Sequence, residues 1–381
     1  MKIGIIGLGS RSTAYVKNLL SGDYEGEITC VCDCDEERLR NYTTFFKLGE
    51  DVAKFTDYRA LLTSGLCEAV IITTPDYTHK DIALCAMDAG LHVLLEKPID
   101  VTLDRISAIY ERGKSYDRTL MMGFELRFAP LYDTIRSIVA SGELGEIVTL
   151  EACERVGTAH AAAFMRRWHR ELKHSGGFMN TKCCHDMDLL RYIIGCDPCE
   201  VVAFGDRRVF TPKDGATDHC KDCRYQSECT YAFNYDRYGE PDNFNCQKDT
   251  CAYNTYKELI DNEIMLFRFA NGVTAHFELV AFSGRATRLM TVNGTKAQLD
   301  ADLSKGEIVV TPLGGEPRIV PLNVMGDGHG GGDTLLLSAF IDSCVSGKNV
   351  NNVYDGMMAT KMALAGEKSM NEHCIVSIRN I

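Results

Sequence analysis

Apolar residues along the chain switch repeatedly between two periods. Lys2 to Ile6 is a short β-branched run with no polar alternation, so it reads as a strand buried on both faces. From Arg11 the period becomes helical, with Ala14, Val16, Leu19 and Leu20 inward. The alternation recurs: strands over Ile28 to Cys32, Val52 to Phe55, Ala69 to Thr73, His92 to Leu95 and Thr119 to Met122. Between them lie helices over Tyr58 to Leu62, about Thr78 to Ala89 with Gly90 as C-cap, and Thr102 to Lys114. Alternating strands and helices of this kind predict a parallel sheet with crossover helices.

The pattern changes past Gly123. Pro130 opens a helix with Leu131, Ile135, Ile138 and Val139 inward, and Gly142 stops it. Ile147 to Arg155 and Glu200 to Phe210 read as strands, Arg166 to Gly177 as a polar loop, and His185 to Ile194 as a helix ended by Gly195. Ile264 to Phe269 and Val273 to Phe282 flank Asn271-Gly272, and Leu289 to Val292 and Ala297 to Asp300 flank Asn293-Gly294, both hairpin signals. With Glu307 to Thr311 they predict one large, mostly antiparallel sheet with helices on one face. Several strands carry apolar residues in both parities, with Phe267, Phe269 and Phe277 as the surplus, so the other face is expected to meet a second subunit. Asp333 caps a helix to Val345 after a glycine loop; a second helix runs from Tyr354 to Glu367, and Cys374 to Ile378 is a last strand. The expectation is therefore an α/β fold: a dinucleotide-binding domain over 1–122 and an α+β domain over 123–381, the terminal helices free to pack back on the first.

The 381 residues suffice for two cored domains, and 45% hydrophobic with 25% charged residues is an ordinary globular mix. A net charge of -12 argues against nucleic acid, and no apolar run reaches bilayer length. The chain enters a strand and glycine turn at once, so no signal segment is expected. A cytoplasmic protein is expected, with most of its 17 cysteines reduced and buried, Cys30, Cys32, Cys67 and Cys85 among them.

Gly7-Leu8-Gly9 follows the first strand directly and leads into a helix, the context in which a glycine turn binds a pyrophosphate. Ser12, at the third glycine position, is small enough for close helix–strand contact. Asp33 ends the second strand, where an acidic group accepts hydrogen bonds from a ribose diol and repels a 2′-phosphate. NAD is thus expected over NADP. Ligands bind beyond the C-terminal strand ends. This placement singles out Gly7, Leu8, Gly9, Ser10 and Arg11, then Thr74, Pro75 and His79, then Glu96 and Lys97. Lys97, beside the cofactor, can hold a substrate hydroxyl. In the second domain, Lys182, His185 and Asp188 are spaced by three residues. His185 is the best general base, and Lys182 can stabilise an alkoxide. Arg166, Arg167, His169 and His329 are candidates for substrate contact.

Between about 211 and 255 the β pattern breaks. Cys220 and Cys223 are two residues apart, a gap that lets two thiolates reach one metal. Cys229 and Cys251 complete a set of four, with Cys246 and His219 as alternates. A structural zinc is expected; free thiols and an iron–sulfur cluster are the alternatives.

Three strings carry a resemblance: GLGSR at Gly7, TTPDYTHKDIALCAMDAGLHVLLEKP from Thr73 to Pro98, and GGFMNTKCCHDMDLLRY from Gly176 to Tyr192. Over essentially its whole length the chain resembles the Gfo/Idh/MocA family, the glucose–fructose oxidoreductase and inositol dehydrogenase relatives. The resemblance implies that Lys97 contacts both nicotinamide ribose and substrate, and that His185 is the motif histidine. Thr181 stands where that motif usually has aspartate, and Lys182 follows it. It further implies hydride transfer from a ring carbinol of a sugar, inositol or derivative; the apolar sheet face, for its part, leads to the expectation of a homodimer or homotetramer. Two alternatives are a redox-neutral NAD-using glycosidase or epimerase and, given Thr181, a non-catalytic cofactor-binding regulator. Some relatives also carry three close cysteines and one downstream.

Overall fold

The computed structural model describes residues 1–238, 249–322 and 329–381. These form two compact units. The first comprises Met1–Phe124, 234–238 and Asp333–Met357; the second comprises Glu125–Phe233, 249–322, 329–332 and Met358–Ile381.

The first unit begins with β1 (Lys2–Ile6), α1 (Ser12–Leu20), β2 (Glu27–Cys32), α2 (Glu36–Phe45), β3 (Ala53–Phe55) and α3 (Tyr58–Leu62). It continues with β4 (Ala69–Ile72), α4 (His79–Asp88), β5 (His92–Leu95), α5 (Leu103–Gly113) and β6 (Leu120–Met122). The strands pair in parallel in the order β3-β2-β1-β4-β5-β6. Every residue of β4 and β5 is buried, as crossover helices on both faces require. Each such aliphatic side chain contributes about 1.5–3 kcal/mol by leaving water.

The second unit holds α6 (Pro130–Ala140), β7 (Ile147–Gly157), α7 (Thr158–Arg166), the single turn α8 (Leu172–Ser175), α9 (Phe178–Ile194) and β8 (Pro198–Asp206). After the turn α10 (Tyr235–Tyr238) come β9 (Asn262–Phe269), β10 (Thr274–Ser283), β11 (Thr287–Gly294), β12 (Ala297–Asp302), β13 (Glu307–Pro312) and β14 (Arg318–Val320). The chain ends with α11 (Gly332–Ser346), α12 (Val353–Glu372) and β15 (Val376–Ser377). The sheet order is β14-β13-β12-β11-β7-β10-β9-β8-β15, and only β7 and β10 pair in parallel. From Asp333 to Met357 the chain returns to the first unit. There Ser343 Oγ lies 2.8 Å from Thr119 Oγ1, and Leu120 N–H donates to the Val350 carbonyl at 2.9 Å.

Three details differ from the sequence reading. The loop expected over Arg166 to Gly177 contains α8 and a 3-10 turn at Trp168–Arg170. α9 begins at Phe178, not His185, launched from Gly176 at φ 67° and Gly177 at φ 99°. Nearly all of α9 is buried, so no polar stripe marks its first two turns. Phe267, Phe269 and Phe277 all point inward; exposed apolar residues on the other face of the sheet include Phe204, Ile264 and Leu266.

Candidate functional site

In the first unit, the turn after β1 is set by close packing. Gly7 sits at φ 93°, and a Cβ there would come 2.8 Å from the Thr74 amide nitrogen. Its carbonyl accepts from Thr73 Oγ1 at 2.6 Å, and Ser12 Oγ donates to the Gly9 carbonyl at 2.7 Å. The turn therefore has no room for a side chain where it faces β4, and no side chain caps the first turn of α1. Such a helix start suits an anion.

Asp33 is buried with both oxygens engaged. Oδ2 accepts from Leu8 N–H at 2.9 Å, and Oδ1 meets Arg38 Nη1 at 2.9 Å and Asp35 N–H at 3.0 Å. One carboxylate thus anchors the glycine turn and binds the nearest guanidinium.

The other candidates fall on the same rim. Ser10 is exposed, while Thr74 and Pro75 are half-buried. Arg11 is committed to internal ion pairs, with Nε 2.5 Å from Glu96 Oε1 and Nη1 2.5 Å from Asp333 Oδ1. Glu96 is buried and also accepts from Tyr15 OH at 2.6 Å. His79 is a clamp: Nδ1 lies 2.8 Å from the Pro98 carbonyl and Nε2 2.9 Å from that of Thr74, tying the second loop to the third. Lys97, half-buried, lies two residues past the end of β5; its N–H donates to Glu96 Oε2 at 3.1 Å, and its bond to Pro98 is cis.

In the second unit, α9 carries Lys182 and His185 one turn apart. His185 Nε2 lies 3.2 Å from Glu125 Oε1, and His329 Nε2 reaches that oxygen at 3.2 Å from the glycine loop. Gly332 lets this loop run against the Glu125 backbone, since a Cβ there would lie 2.2 Å from the Glu125 carbonyl. Lys182 Nζ is 3.3 Å from Glu154 Oε1. Arg288 Nε is 2.7 Å from both Glu154 Oε2 and Asp186 Oδ1. Burial alone would raise the Glu154 pKa, but Arg288 and Lys182 outweigh it and hold the group below its ordinary value. At Asp186 burial wins and the pKa is raised. Asp188 is bound bidentate by Arg127, which ties α9 to the segment after β6.

Sequence reasoning missed Glu125, Glu154 and Arg288. Glu154 had a signal: it occupies the inward parity of β7, where a carboxylate requires a partner. Glu125 follows β6 by only three residues, at the same end of the strand where the other loops were sought.

Cys220, Cys223, Cys229 and Cys251 line one cavity of about 20 Å³. None of the sixteen described cysteines forms a disulfide; Cys246 lies outside the described residues. His219 turns Nδ1 to Asp249 at 2.7 Å. Arg166 is buried beside Cys220, whereas Trp168 and His169 stack with ring centroids 3.6 Å apart.

Residues 1–124 match the oxidoreductase family with an NAD-binding Rossmann fold, and residues 132–300 match the GFO/IDH/MocA C-terminal domain. The protein YteT of Bacillus subtilis (strain 168) is 23% identical over 375 residues, 87% of this chain and 86% of that protein. The scyllo-inositol 2-dehydrogenase (NAD(+)) of the same organism is 29% identical over 205 residues; that match spans 54% of this chain and 57% of the enzyme. Levoglucosan dehydrogenase, solved with NADH and L-sorbose, superposes with a TM-score of 0.80 over 99% of this chain and 98% of its own, at 17% identity, a likeness of fold. With both halves matched, the chain belongs to the Gfo/Idh/MocA oxidoreductase family, and its chemistry is NAD-dependent hydride transfer.

Proposed function

We propose that the enzyme oxidises a ring carbinol of a sugar or cyclic polyol. The observation that carries this reading is His185 on α9, a buried imidazole whose Nε2 lies 3.2 Å from the Glu125 carboxylate. A base so placed gains a proton at low cost, because the carboxylate stabilises the imidazolium. NAD, when bound, supplies a nicotinamide C4 that accepts the carbinol hydride. His185 takes the hydroxyl proton as the C–O bond becomes a carbonyl, so alcohol and NAD give ketone, NADH and one proton. Lys97 holds the reacting hydroxyl. Lys182, its ammonium steadied by Glu154, stabilises the negative charge that develops on that oxygen.

The candidate cofactor ligands are Gly7, Leu8, Gly9, Ser10, Arg11, Asp33, Thr74, Pro75, His79, Glu96 and Lys97. Their parts differ: Gly9, Ser10 and the start of α1 take the pyrophosphate, Asp33 the adenosine ribose, and Arg11, Glu96 and His79 hold the loops in shape. The first unit binds NAD and the second selects the substrate. The protein works as a homodimer or homotetramer through the sheet face carrying Phe204, Ile264 and Leu266. Cysteines without disulfide partners suit a cytoplasmic setting, and no helix among the described residues is long and apolar enough to cross a membrane.

The test compares His185→Ala and Lys97→Ala with wild type on an accepted polyol. Turnover should fall by about 10²–10⁴ for the histidine, while NADH affinity of that variant is unchanged. Turnover that survives both substitutions overturns the assignment. Product formed without net NADH selects the redox-neutral cycle instead.

A further inference from the structure

We infer that the four-cysteine cavity is a structural zinc site whose task is to brace the segment leading into α9. This goes beyond the proposed reaction, and its test uses no turnover. The ligands come from two stretches: Cys220, Cys223 and Cys229 from one, Cys251 from the other. Backbone bonds already register the two, Cys220 N–H to the Asp249 carbonyl at 2.8 Å and Cys251 N–H to that of Asp218 at 2.7 Å. On binding, the sulfurs draw in from the cavity walls to about 2.3 Å from the ion. Four thiolates around Zn²⁺ leave two net negative charges, and two cations line the cavity, Arg166 and Lys213. Arg166 Nη2 lies 3.5 Å from Cys220 Sγ, and Phe233 N–H lies 3.4 Å from the same sulfur. Donors aimed at sulfur are what thiolate centres use to orient ligands and spread charge. Four thiolates also leave no open coordination position, so the ion is structural.

The brace follows from what else these groups hold. Arg166 is the last residue of α7; its Nε donates to the Thr250 carbonyl at 2.6 Å and its Nη2 to the Tyr231 carbonyl. Beyond Cys251, Glu258 N–H donates to the Arg170 carbonyl at 2.8 Å, and Leu172 N–H donates to Glu258 Oε2 at 2.8 Å. The insert thus grips the 166–172 stretch at both ends, and this stretch feeds the Gly176-Gly177 turn that launches α9. The insert's apolar support is small, an aromatic group of Phe210, Tyr231 and Tyr253.

Metal analysis of the full chain purified without chelator should give one zinc per chain. Cys251→Ser should lose it, while Cys251→His, which preserves a four-ligand set, should keep it. Hydrogen exchange should be faster over 166–177 in Cys251→Ser than in wild type, and unchanged in Cys251→His. If Cys251→Ser does not fold, cobalt substitution of wild type should give thiolate-to-cobalt charge-transfer absorption. Four freely titrating thiols without metal, or iron with sulfide in place of zinc, overturns the site. Zinc loss with unchanged exchange over 166–177 overturns the brace.

Discussion

At the residue scale, cofactor choice in the proposed reading rests on Asp33 and its neighbours. Asp33 holds Leu8 N–H with one oxygen and Arg38 with the other, so an adenosine ribose meets a carboxylate, while the only guanidinium bonded to that carboxylate, among the described residues, is neutralised. Replacing Asp33 with alanine releases both. Fluorescence titration should then show weaker NADH binding and a smaller preference over NADPH, since Arg38 becomes free to meet a 2′-phosphate; a preference equal to wild type contradicts this. Gly7 is stricter still. A Cβ would clash with Thr74 at 2.8 Å, and φ 93° disfavours any side chain. Gly7→Ala should cost about 1–3 kcal/mol in denaturant unfolding and abolish detectable NADH binding.

At the element scale, what could be read in advance followed from period. The first sheet was legible because two-sided burial writes unbroken β-branched runs, and glycine turns and strand ends then place the cofactor loops. The hairpins of the second sheet were legible from Asn-Gly pairs. α9 was only half legible. Its first turns are buried all round, so its start is marked only by two glycines at positive φ. Its partners were also hidden. Glu125 reaches His185 across sixty residues of sequence, and Arg288 reaches Asp186 across more than a hundred; no local spacing records such contacts.

The base of α9 also makes a pH prediction. Glu367 on α12 packs against Gly177, where a Cβ would lie 2.3 Å from its Oε1, and burial raises its pKa to about 7 from 4.5. Burial, and then the nearby Glu367 charge, pushes buried Glu263 up in the same direction. A carboxyl raised in the folded state binds a proton that the unfolded chain has released. Its stabilising contribution is therefore full below about 4.5 and is lost as pH rises to about 7. The loss is on the order of 3 kcal/mol for Glu367. Glu367→Gln, neutral at every pH, should flatten the decline of Tm between pH 5 and pH 8; an unchanged decline contradicts the assignment.

At the scale of the whole molecule, helices α6, α7 and α9 cover one face of the second unit's sheet, and Phe204, Ile264 and Leu266 stand exposed on the other. Exposed apolar side chains this close together are costly in water. Light scattering at low protein concentration should give a dimer or tetramer, and Leu266→Lys should shift it to smaller species; a wild-type monomer contradicts the oligomer. The central claim is hydride transfer from a ring carbinol. Its most direct measurement uses an accepted cyclic polyol deuterated at the reacting carbon, with mass analysis of the cofactor after one turnover. The deuterium should appear on the nicotinamide ring of NADH, with transfer slowed by about 10²–10⁴ in His185→Ala; deuterium released to solvent while the cofactor stays unlabelled contradicts hydride transfer.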